Sequence, residues 1–142
     1  MILLTGVTGK TGGETAKQLL QKGAKLRALV RDEAKAADLK AAGVELVVGD
    51  VSDADTVRRA LQGADKAFLT LPNGQRQLEQ EKRFTDLAVA AGVEHLVKMS
   101  SMEAVAHAKT PIPRGHWAAE QHIRASGLDW TMVKPNFFMQ NL

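Results

Sequence analysis

The sequence predicts an α/β domain built on a doubly wound parallel sheet with strand order 3-2-1-4-5-6. Three observations carry that expectation. Short apolar runs alternate with longer helical stretches from one end of the chain to the other. Gly23, Gly43, Gly63, Gly92 and Gly127 each stand where a helix should give way to a strand. A glycine-rich turn separates the first strand from the first helix. Strict alternation of strand and helix implies parallel strands, right-handed crossovers and helices on both faces.

The elements follow in order. Ile2–Thr5 is apolar, lacks a preceding basic region and runs straight into glycines, so it reads as a strand rather than a signal peptide. A helix is expected over Lys10–Lys22, then a strand over Lys25–Val30. Helix Glu33–Ala42 leads to strand Val44–Val48, and Asp53 is the N-cap expected for helix Asp53–Gln62. Strand Lys66–Leu71 precedes helix Gln75–Ala91, where Phe84, Leu87, Ala88 and Ala91 fall on one face at i, i+3, i+4 and i+7. Strand His95–Ser100 comes next, then a loop over Val105–Arg114 containing Pro111 and Pro113. The helix expected over Arg114–Ser126 has no clean apolar stripe, and strand Trp130–Lys134 closes the pattern. The pentapeptide Ala-Ala-Gly-Val-Glu, at 41–45 and 90–94, is one helix-to-strand junction used twice rather than an internal repeat.

Composition narrows the chemistry. The 142 residues suffice for one domain, 1–142, and no linker divides them. The absence of Cys excludes disulfide scaffolds, thiolate metal sites and Cys nucleophiles. The absence of Tyr excludes any mechanism that needs a phenol. His95, His107, His116 and His122 lack metal-ligand spacing, so no metal is expected. The net charge of +3 is scattered without a basic block, which argues against nucleic acid. No apolar run approaches the ~20 residues of a membrane span, and a cytoplasmic location is the default.

The strongest chemical signal is Thr5-Gly6-Val7-Thr8-Gly9-Lys10-Thr11-Gly12. Gly6, Gly9 and Gly12 are spaced three apart between a strand and a helix. In a Rossmann-like fold one such glycine permits the tight turn, one lets a pyrophosphate approach, and one lets the helix pack closely. The phosphates then face the helix N-terminus. The second strand ends in Arg31-Asp32. Arg31 at that tip would pair with the 2′-phosphate of NADP(H), with Lys10 adding positive charge. The competing reading gives Asp32 the ribose hydroxyl of NAD(H); NADP(H) is preferred. Asp50 and Val51, after the third strand, would flank adenine, although Asp50 also suits an ordinary turn. Thr70, Leu71 and Pro72 would pass the nicotinamide ribose, because ligands sit beyond the carboxyl ends of the strands.

These residues together resemble the NmrA-like, atypical short-chain dehydrogenase/reductase family. The likeness spans essentially the whole chain. It rests on the glycine turn, Val30-Arg31-Asp32, Gly49-Asp50, Ser100-Ser101, His116-x-x-x-Glu120 and Lys134-Pro135-Asn136-Phe137-Phe138-Met139. The resemblance implies an NAD(P)H-dependent oxidoreductase acting on a small molecule, a quinone or similar conjugated carbonyl. Its rival is a non-catalytic NADP(H)-sensing regulator that contacts a protein partner. Two departures bear on this. Classical superfamily members use a Tyr-x-x-x-Lys pair, which a chain without Tyr cannot supply. In its place stand His116 and Glu120, one helical turn apart, and Ser100 at the end of the fifth strand. His116 could donate a proton near neutral pH; the plainer reading is a surface His–Glu pair. No base lies beside Ser100 in sequence, so Ser–His–Asp hydrolysis is not expected. Family members also continue well beyond this length, so the C-terminal substrate lobe is expected to be absent here and the chain could be part of a longer protein. The apolar tail Phe137-Phe138-Met139, if exposed, would favour a homodimer. Trp117 and Trp130 read as packing residues.

Overall fold

The computed structural model describes residues 1–136. Six strands form one all-parallel sheet: β1 (Ile2–Leu4), β2 (Leu26–Val30), β3 (Glu45–Val48), β4 (Lys66–Leu69), β5 (His95–Met99) and β6 (Asp129–Val133). Their order is β3-β2-β1-β4-β5-β6, as expected. The helices are α1 (Lys10–Gln21), α2 (Ala37–Ala41), α3 (Ala54–Leu61), α4 (Gln77–Ala90) and α5 (Pro111–Arg124). The order reverses between β1 and β4, and the crevice that opens there is where doubly wound sheets hold ligands.

Alternation along each strand feeds two cores. Leu3, Ala67, Leu69 and Leu96 face α3, α4 and α5, meeting Val57, Leu61, Phe84, Ala88 and Ile123. Leu4, Ala28, Val30 and Phe68 face the other way, onto Val7, Ala16 and Ala36. Asp53 caps α3 as expected, its carboxylate accepting from the Thr56 amide (3.2 Å) and hydroxyl (2.6 Å). The five junction glycines all take positive φ, from 76° to 98°.

Four expectations need correction. Helix Glu33–Ala42 is split into a 3₁₀ turn over Glu33–Ala36, capped by Asp32, and the short α2. Strands one and four end earlier than expected: the Thr5 amide still bonds Phe68 O, but the Thr70 amide turns to the Thr5 hydroxyl instead of a backbone carbonyl. The α5 helix begins at Pro111 rather than Arg114; a proline at the first helical position brings the right φ and no amide to leave unsatisfied. The buried face of α4 is Gln77, Glu81, Phe84, Thr85 and Ala88, with Ala91 exposed, so its inner stripe is partly polar.

The edge strand β6 leaves Trp130 and Val133 exposed. Trp130 is therefore not a core residue; the Arg124 guanidinium lies over its ring, 4.2 Å from the centroid. The tail Phe137–Met139 lies outside the described residues. Among those residues no helix is long and apolar enough to cross a membrane.

Candidate cofactor and substrate site

The glycine turn is built by backbone proximity. Gly6 holds φ +67°, and a Cβ there would stand 2.6 Å from the Thr70 methyl and 2.7 Å from its carbonyl oxygen. A Cβ on Gly12 would meet the Gly6 carbonyl oxygen at 2.0 Å and its carbon at 2.4 Å. One glycine thus turns the chain against β4, and the other seats α1 on that turn. Gly9 donates its amide to Gly6 O (3.1 Å), and its own Cβ direction meets only that oxygen, at 3.4 Å. It is also the N-cap of α1, without a side-chain cap and with no acidic residue in the first turn. The first amides of α1 and the positive end of its dipole are left for an anion.

Thr5 and Thr70 lock the two sides of the crevice. The Thr5 hydroxyl accepts from the Thr70 amide (2.9 Å) and donates to Phe68 O (3.0 Å) or Thr70 O (3.1 Å). Beyond this lock lie two adjoining clefts that share Thr70, Leu71, Pro72 and Asn73.

The first cleft runs from the glycine turn past β2 and β3. Gly6, Thr8, Arg31, Asp50 and Val51 line it. Asp50 accepts from the Ser52 amide at 2.8 Å. That bond, the Ser52 hydroxyl and the charges of Arg31 and Arg76 hold its carboxyl below the usual range. Arg76, at the start of α4, is a basic residue on the same cleft that the sequence did not single out. Asp32 turns away, its carboxylate accepting from the Ala34 amide (3.0 Å). Gly9 and Lys10 are exposed and line neither cleft, while Gly12 is buried under the turn.

The second cleft, between β4, β5 and α5, brings together Thr11, Ser100 and His116. Here the plain reading of a surface His–Glu pair fails. His116 and Glu120 are both buried, and they bond other groups rather than each other. Ser100 donates to Glu120 Oε2 (2.8 Å), so a carboxylate does stand beside this serine, brought by the fold from α5. Lys134 closes the Glu120 site, donating to Glu120 Oε1 (3.3 Å) and Ala104 O (2.8 Å). His116 Nδ1 lies 3.0 Å from Lys98 Nζ, and Nε2 lies 3.2 Å from Asn73 Oδ1. Burial and the Lys98 charge lower the His116 pKa from 6.5 to about 4. At neutral pH the ring is uncharged, so it cannot act as the imidazolium acid that the sequence suggested. Lys98 and Glu81, fully buried and 2.7 Å apart, are new to the site. Burial pushes the Glu81 carboxyl up, against the opposing pull of Lys98 and Gln77.

Comparison with known proteins accords with this geometry. A family model described as NAD(P)H-binding matches residues 6–141. An NAD(P)H azoreductase of Xenophilus azovorans is 39% identical over 144 residues, covering 100% of this chain and 50% of that protein. A (4-alkanoyl-5-oxo-2,5-dihydrofuran-3-yl)methyl phosphate reductase of Streptomyces griseus is 40% identical over 142 residues, covering 99% of this chain and 49% of that protein. The crystal structure of an Escherichia coli NADPH-dependent quinone oxidoreductase complexed with NADPH superposes with TM-score 0.88 at 28% identity, over 99% of this chain and 50% of that one. The chain thus spans about half the length of these relatives. With the glycine cradle, the open α1 terminus and the reversed strand order at one crevice, the match over residues 6–141 makes this chain a member of the NAD(P)H-binding family.

Proposed function

We propose that this chain binds NADP(H) in preference to NAD(H) and forms the cofactor-holding part of a reductase of quinones or similar conjugated carbonyl acceptors. The observation that carries the reading is the cradle itself: Gly6 and Gly12 lie where any Cβ would strike backbone, under an uncapped helix N-terminus. A pyrophosphate needs that close approach and those free amides. Arg31 and Arg76 on one cleft, with Asp32 committed to its own turn, favour a 2′-phosphate over a bare ribose hydroxyl. Asp50 and Val51 would flank the adenine end, and Thr70, Leu71 and Pro72 the nicotinamide ribose.

The bound cofactor would supply the hydride. The protein would orient it and shape the second cleft for the acceptor, with Ser100 and His116 facing that space and Glu120 holding the Ser100 hydroxyl. An acceptor such as a quinone does not demand a strong protein acid, which suits a site without Tyr. The relatives support the class: one is an azoreductase, one a quinone oxidoreductase, and one reduces a furanone whose ring double bond is conjugated to its carbonyl.

Calorimetric titration with NADPH and NADH, on the chain and on Arg31→Asp, tests the cofactor. The substitution should weaken NADPH binding far more than NADH binding, and equal losses would refute the preference. NADPH oxidation over a quinone panel tests the reaction. Tight binding without turnover across that panel would favour a sensor instead.

A further inference from the structure

We propose that Lys98 is a positioning residue that locks His116 in its Nε2–H tautomer, so that the second cleft is offered a neutral hydrogen-bond donor of fixed direction. The inference rests on that cleft being the substrate side of the reductase site.

A charged lysine has three N–H donors and no acceptor. Lys98, with no exposed side-chain surface, places its ammonium 2.7 Å from Glu81 Oε2, 3.0 Å from His116 Nδ1 and 3.3 Å from Met99 O. Three donors meet three acceptors. Nδ1 must therefore accept, and the ring proton sits on Nε2. That atom donates to Asn73 Oδ1 (3.2 Å), on the loop shared by both clefts. A flip to the Nδ1–H form would set two donors against each other and leave a buried ammonium proton unpaired.

Glu81, on α4 beside α5 on the same face of the sheet, balances the Lys98 charge, and Gln77 donates to the other Glu81 oxygen at 3.2 Å. Among the described residues, Lys98 is the only charged side chain bonded to the ring; Glu120, one turn along α5, is engaged by Ser100, Lys134 and, at 3.7 Å, Arg124, and Glu103 sits elsewhere on the cleft wall. A positive neighbour at Nδ1 also opposes a second ring proton. The result is a polarised N–H that can shift from Asn73 to an acceptor oxygen without changing its own protonation. A carbonyl or quinone oxygen, gaining negative charge during reduction, is the ligand class this donor fits.

The test needs neither cofactor nor turnover. Long-range proton–nitrogen correlation spectra of the labelled chain report imidazole tautomers directly, with His116→Gln identifying the signal. His116 should show a single Nε2–H form that does not titrate from about pH 8 to about pH 5. An Nδ1–H form, or protonation within that range, overturns the proposal. Lys98→Met paired with Glu81→Leu removes both charges together and avoids an orphaned carboxylate. In that variant the ring should become a tautomer mixture and titrate inside the same window. An unchanged tautomer and pH response there would show that Lys98 does not fix the ring. If the double variant does not fold, the wild-type spectrum still puts the proposal at risk, because an Nδ1–H form there overturns it. A locked tautomer in a chain that oxidises NADPH with none of the quinone panel would refute the reductase reading and leave the tautomer lock standing.

Discussion

Replacing Gly12 with alanine separates a glycine kept for close packing from one kept for conformational freedom. Gly12 lies in the first turn of α1 without positive φ, so helix propensity alone favours the change by up to ~1 kcal/mol. Space opposes it. The new methyl would stand 2.0 Å from the Gly6 carbonyl oxygen, 2.4 Å from its carbon and 2.9 Å from the Val7 nitrogen. Carbon and oxygen ordinarily rest ~3.3 Å apart, so α1 must retreat by roughly 1 Å from the turn. Overpacking of this kind costs ~1–3 kcal/mol, and three backbone atoms that cannot rotate away put Gly12 at the upper end. The net loss should be about 2 kcal/mol, a fall in Tm of roughly 6–8 °C for a domain of this size. NADPH affinity should drop more than ~10-fold, because the amides at the start of α1 move with the helix. Gly115→Ala is the control: this glycine sits inside α5 with nothing within 4 Å of its Cβ position, and should gain ~0.4–1 kcal/mol. Thermal melts by circular dichroism and NADPH titration read both effects. A Gly12→Ala chain with wild-type melting and affinity would refute the close-packing argument, as would an equal loss in Gly115→Ala.

Other expectations concern the buried polar groups and the core. The pKa of His116 is about 4 in the fold against 6.5 for the free side chain. Below pH 6.5 the unfolded chain therefore takes up a proton that the native chain refuses, and stability falls as pH drops toward 4. At about 1.4 kcal/mol per tenfold in acidity, this contributes about 3 kcal/mol at neutral pH. It should appear as a difference between the urea-melt pH profiles of wild type and His116→Gln, and parallel profiles would count against it. Lys98→Met alone strands the Glu81 carboxylate and should cost ~3–5 kcal/mol in urea melts, much of it recovered by adding Glu81→Leu. A double variant no more stable than the single would show that the pair is not coupled. Phe84→Ala, in the core between α4 and the sheet, should cost ~3–5 kcal/mol by the same melts, and a loss below 1 kcal/mol would place the core elsewhere.

The glycine turn and the first cleft were legible because backbone geometry dictates them. A glycine at position 6 or 12 is demanded by contacts within the turn or with the next strand, and spacing alone displays it. Arg31 was readable for a related reason: in this topology the carboxyl end of the second strand opens on the crevice, and Arg31 lines the first cleft there. Arg76 was not readable, since it reaches the same cleft from the start of α4, forty-five positions away in sequence.

The second cleft was hidden by the polar residues that line and support it. The inner stripe of α5 is Pro113, His116, Ala119, Glu120 and Ile123, and that of α4 begins Gln77 and Glu81. Polar residues at core-facing positions blur the apolar periodicity on which helix faces are read. The blur was itself the signal: a helix that lacks a clean stripe yet must pack on a sheet carries buried polar groups, and those require partners. Lys98 on β5 and Ser100 just after it alternate with Leu96, and all three are buried. Period-two alternation in His95–Ser100 therefore places a lysine where a parallel strand should bury an apolar side chain. A buried lysine needs a carboxylate within reach, and α4, the crossover leading into β5, is where the chain supplies Glu81. Reading the exceptions to the hydrophobic pattern as a matched set would thus have located the Lys98–His116 contact, where reading them as noise left His116 and Glu120 on the surface.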